Sequence, residues 1–60
     1  MTVNEFKKTD MYKEAKEVRF YDAKGVNVSN KPAIILDLID VIGTSHNADG
    51  TIDVDLLYME

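Results

Sequence analysis

The sequence predicts an α+β fold: a small antiparallel β-sheet of two hairpins, with a short N-terminal helix and a connecting helical turn. Three observations predict it. Residues 51–58 alternate, with Ile52, Val54, Leu56 and Tyr58 on one side and Thr51, Asp53 and Asp55 on the other, the period of a half-buried strand. Asp49-Gly50 stands just before this strand, a pair favoured in tight hairpin turns. Thr2-Val3-Asn4-Glu5 has the spacing of a capping box, in which hydroxyl and glutamate close a helix start reciprocally.

Each element follows from local chemistry. Thr2 to Lys8 reads as about two helical turns, with Val3 and Phe6 three apart on one face. A helix this short needs packing to survive in water. Thr9 to Ala15 accepts another turn, with Met11 and Ala15 inward. Lys16 to Tyr21 reads as a strand, Val18 and Phe20 pointing one way and Glu17, Arg19 and Tyr21 the other. Asp22-Ala23-Lys24-Gly25 has the composition of a turn, and Val26-Asn27-Val28 is expected to return as a short second strand. Pro32 fits the first turn of a helix over about residues 32–38, capped by Ser29 or Asn30. Ile35, Leu38, Ile39 and Ile42 then share a face. A continuous strand from Ile34 to Ser45 is the alternative, disfavoured because Asp37 and Asp40 are poor strand residues. Gly43 marks a bulge or a close backbone approach.

The 60 residues make one domain, residues 1–60, and a marginal one. A chain this small buries only about 60% of the surface its unfolded form exposes. Cysteine is absent, which excludes disulfides and thiolate zinc, and His46 is the sole histidine. Self-association is the expected support, through pairing of sheet edges into a homodimer or higher homo-oligomer. The longest apolar run, Ala33 to Leu36, is far too short for a membrane span, and charged residues occupy the N-terminus. A soluble, cytoplasmic chain is expected.

Charge is divided along the chain. All seven bases lie in residues 1–31 with five acids, a net of +2; residues 32–60 hold six acids and no base, a net of −6. One reading is that the halves pack together and neutralise each other. The other is an acidic face directed at a basic partner.

Motifs for chemistry are few. Asn47 to Asp53 is similar to the middle of an EF-hand calcium loop, but Ser45 and Leu56 replace the two carboxylates that anchor such a loop, so no metal is expected. Asp53 and Asp55 project to the same side of a strand, without a partner for acid–base work. Ser45 and His46 are adjacent and point to opposite sides, so they form no nucleophile–base pair. No catalytic residue or cofactor is expected. Lys7, Lys8, Lys13, Lys16 and Arg19 interleave with aromatics, the pattern of a nucleic-acid surface. The acids among them and the pI near 4.7 oppose it.

TVNEF, VRFYDAKG and NADGTIDVDLLY together resemble, in layout, the small single-domain accessory proteins encoded by phages and prophages of Gram-positive bacteria. That resemblance implies a stoichiometric inhibitor of a bacterial host or antiviral-defence protein. The expected contact surface is the acidic face of the last strand: Asp49, Thr51, Asp53 and Asp55, with Leu57 and Met59 as apolar residues lacking a place in the core. A nucleic-acid accessory role and a structural subunit of a larger assembly are the alternatives.

Overall fold

The protein is described here by a computed structural model over residues 1–58. In chain order its elements are α1 (Val3–Phe6), α2 (Asp10–Glu14), β1 (Glu17–Tyr21), α3 (Ala33–Leu36), β2 (Val41–His46) and β3 (Thr51–Leu56). Three short helices cover one face of a three-stranded sheet, which makes the fold α+β.

The capping box at Thr2 forms as the spacing predicts. Thr2 Oγ1 accepts from the Glu5 N–H at 3.2 Å, and Glu5 Oε1 accepts from the Thr2 N–H at 2.9 Å. One turn of helix persists because tertiary contacts hold it. Val3 and Phe6 are buried, and the N–H groups of Val3 and Asn4 donate to the carbonyls of Ile39 and Asp37. Thr9 caps α2 by accepting from the Tyr12 N–H. Tyr12 and Ala15 pack on the core, whereas Met11, expected inward, is exposed. Tyr12 takes that place because its ring meets Phe6 edge-on, with centroids 5.8 Å apart.

The sheet differs from two antiparallel hairpins. Its order is β1-β3-β2, with β3 parallel to β1 and antiparallel to β2. One hairpin, β2–β3, is present as predicted. The other is not a strand pair: after β1 the chain makes a single antiparallel bridge, Tyr21 to Asn27. Val28 donates to the Phe20 carbonyl and the Ser29 hydroxyl accepts from the Phe20 N–H, so residues 26–29 cover the outer edge of β1 as a loop. β3 takes the centre because Ile52, Val54 and Leu56 are all buried, and a strand so covered needs a neighbour on each side.

The segment around α3 is also corrected. Pro32 is itself the N-cap, with no side-chain cap from Ser29 or Asn30, and the helix ends at Leu36. Leu36 and Ile39 face the core, while Ile35, Leu38 and Ile42, expected to share one face with Ile39, are exposed. The phase is set by α1, whose backbone bonds to Asp37 and Ile39 fix which side of this single turn faces in. Gly43 sits at the predicted bulge, between Val41 and Gly43 in the β2–β3 register.

The core joins Val3, Phe6, Phe20, Val28, Leu36, Ile52, Val54 and Leu56, with Tyr58 against it. Ion pairs cross between the basic and acidic halves at Lys7 Nζ to Asp37 Oδ1, 2.8 Å, and at Arg19 Nε to Asp53 Oδ1, 3.1 Å. Local neutralisation between the halves is therefore real. No helix among the described residues is long and apolar enough to cross a membrane.

Candidate interaction surface

None of the described helices covers the other face of the sheet. Alternation brings Glu17, Arg19 and Tyr21 of β1 to it, beside Thr51, Asp53 and Asp55 of β3 and Gly43 and Ser45 of β2. The parallel register sets Arg19 against Asp53 and Glu17 against Thr51. Three acids and one base share this face.

A hydrogen-bond network organises its centre. Thr51 Oγ1 donates to Asp49 Oδ1 at 2.7 Å and accepts from Arg19 Nη2 at 3.0 Å and Asn47 Nδ2 at 2.9 Å, which fills its capacity of one donor and two acceptor sites. Asn47 Nδ2 also donates to Asp53 Oδ2 at 3.3 Å. The Thr51 N–H adds a second bond to Asp49 Oδ1. These two donors from Thr51 hold the Asp49 carboxyl below its ordinary range. The Asp53 carboxylate raises the pKa of the Arg19 guanidinium.

The residues expected from sequence divide accordingly. Asp49 lies in the hairpin turn and is engaged by Thr51. Thr51 is buried inside the network, so it supports the surface from beneath. Asp53 is half-buried between Arg19 and Asn47. Asp55 is exposed, and its opposite residue Gly43 has no side chain to cover it. Leu57 is exposed at the end of β3. Met59 lies outside the described residues. Sequence reasoning left Glu17, Arg19 and Asn47 out of the surface. Their signal was present, since the alternation of β1 already placed Glu17 and Arg19 on one side.

Ser45 stands opposite Asp53 and His46 opposite Ile52, so the two face different layers and make no nucleophile–base pair. Among the described residues no three His, Asp or Glu side chains gather as a metal-holding group. Glu17 and Asp55 offer carboxylates to solvent, flanking a centre fixed by its own bonds. Comparison of the chain with protein-family models, curated proteins and solved structures finds no match.

Proposed function

We propose that this chain is a non-enzymatic protein-binding module whose uncovered, acidic sheet face docks on a basic surface of a partner. The observation that carries the reading is the exposure of Glu17 and Asp55 on a face that none of the described helices covers. Opposite charge on two surfaces steers their encounter and fixes orientation more than it adds affinity. The likeness of layout to small phage-encoded proteins supports a bacterial host or defence protein as the partner, and stoichiometric inhibition as the effect. Lys7 and Arg19, two of the cations a nucleic-acid surface would use, are held by Asp37 and Asp53, which favours protein over nucleic acid. A second reading adds self-association, supported by the most exposed aliphatic side chains among the described residues, Ile34, Leu38 and Leu57.

The test is a double charge reversal, Glu17→Lys with Asp55→Lys, which keeps Arg19, Thr51 and Asp53 in place and gives up the 3.9 Å pairing of Glu17 with Arg19. With immobilised protein and bacterial lysate, wild type captures a partner and the variant loses it by at least about tenfold, with an unchanged far-UV CD spectrum. Undiminished capture of the same partner by the folded variant overturns the acidic-face reading.

A further inference from the structure

β2 is an edge strand whose outer side, among the described residues, is guarded only at its beginning. The Val41 N–H donates to the Met1 carbonyl, and Thr2 bridges Asp40 in antiparallel sense. Further along, Asn47 bonds to Thr51 across the hairpin, and the alternation of an antiparallel ladder turns Ser45 and Gly43 toward β3 in the same way. The N–H and C=O groups of Thr44 and His46 therefore point away from the sheet. No lysine, proline or other charge blunts this stretch, the usual protection of an edge. The edge of β1, by contrast, is closed at Phe20, where Val28 and Ser29 take its carbonyl and N–H.

A groove follows the same edge, between β2 and the N-terminal helices. Its larger part, about 310 Å³, is lined by Met1, Phe6, Met11 and Ile42 and is apolar. Its smaller part, about 150 Å³, adjoins Met11 again, then Glu14, His46 and Asn47. Met11 lines both parts. Glu14 is the one acidic or basic side chain, histidine apart, among the residues lining either part.

We infer that this groove receives an extended peptide segment of a partner protein, added as a strand to the outer edge of β2. Main-chain groups of Thr44 and His46 supply the pairing, and alternate side chains of the peptide enter the groove. Met1–Thr2 already runs antiparallel to Asp40–Val41, so a strand continuing that line is antiparallel too. Its C-terminal part then lies over Met1 and Ile42 and carries apolar residues. Its N-terminal part lies beside Glu14 and carries a basic one. Charge selects the occupant: a lysine or arginine at the N-terminal end of the peptide meets Glu14, and the β2 of a second copy, Val-Ile-Gly-Thr-Ser-His, has neither.

The probe is a blocked synthetic hexapeptide of alternating valine and threonine led by arginine, titrated into ¹⁵N-labelled protein at pH 7. The amides of Thr44 and His46 shift saturably and those of Phe20 and Val28 do not. Glutamate in place of the arginine weakens binding about two- to fivefold, the scale of an exposed ion pair, and Glu14→Lys reverses the preference. Methylating the peptide nitrogens that face β2 abolishes binding. Absence of shifts at Thr44 and His46 up to millimolar peptide overturns the inference, as does equal binding of the methylated peptide or indifference to the leading charge. Movement of those two amides with protein concentration alone overturns it as well, in favour of a second copy. The Glu17→Lys/Asp55→Lys variant lies on the opposite face and binds the peptide as wild type does, so this site and the acidic face fail independently.

Discussion

Thr51 holds the exposed face together with one hydroxyl. It joins the turn (Asp49), the first strand (Arg19) and the end of the second (Asn47) at distances of 2.7 to 3.0 Å. Thr51→Val keeps the shape and removes all three bonds. The expected loss is about 1–3 kcal/mol by urea denaturation at pH 7, the cost of leaving polar groups without partners. The loss depends on pH in a definite direction. Asp49 has a lowered pKa in the folded state, first because of the Thr51 hydroxyl, so its contribution is complete above the ordinary carboxylate value of about 4. It disappears as pH falls through that value toward the lowered one. The difference between wild type and Thr51→Val therefore narrows from pH 7 to pH 3; an equal difference at both pH values rules out this role for the hydroxyl. Glu5, lowered by the Thr2 N–H, adds to acid sensitivity in the same window but is common to both proteins and cancels in the comparison.

The β2–β3 hairpin shows how glycines differ when the backbone differs. Gly50 donates to the Asn47 carbonyl at φ 89°, and Asn47 donates back to the Thr51 carbonyl, a three-residue loop closed by a glycine bulge. A Cβ on Gly50 meets only Lys16 Cβ at 3.6 Å, so the penalty for Gly50→Ala is conformational, about 1–2 kcal/mol. Gly43 has no such φ, and its added Cβ lies 3.7 Å from Asp55 Oδ2, an ordinary contact. Gly43→Ala is expected to change stability by no more than about 0.5 kcal/mol. Urea midpoints of the two variants give the comparison, and equal losses contradict it. This hairpin was legible because its turn, bulge and alternation are all local. The partner of β1 was not. Asp22 to Gly25 does form a turn, with Gly25 at φ 81°, but only three residues follow it before the Ser29-Asn30-Lys31-Pro32 stretch. β1 instead pairs with a strand 34 positions later, Glu17 with Thr51, and no turn chemistry encodes a parallel pairing across that distance. The surface inherited that gap: Asp53 and Asp55 were placed on the right side, but the arginine that neutralises one of them came with the unforeseen neighbour.

At the scale of the molecule, sixty residues support about 3–9 kcal/mol of stability, and the packing explains where it is spent. Among the described residues, one sheet face and three helices enclose eight buried apolar side chains. The helical turn at α3 was expected to set Leu38 on one face with Ile39, yet a single turn buries only the side that α1 fixes. Leu38 is left 80% exposed, Ile34 79% and Leu57 65%. Leu57 lies near the other end of this region, since its N–H donates to the Asp40 carbonyl two residues beyond Leu38. Leaving such side chains in water forgoes about 1.5–3 kcal/mol each that burial would recover. A second copy can supply that burial. It does so away from the β2 edge, so the amides of Thr44 and His46 stay unmoved while those around α3 respond to concentration. The measurement is light scattering across a dilution series, from high micromolar to low micromolar. Wild type is expected to fall from dimer mass to monomer mass, and Ile34→Glu with Leu38→Glu to remain monomeric throughout. Both side chains are already in solvent, so the variant keeps the wild-type CD spectrum and unfolding midpoint at low concentration. A monomer mass for wild type at the highest concentration sinks the self-association reading; a dimer that survives the double substitution places the contact elsewhere on the surface.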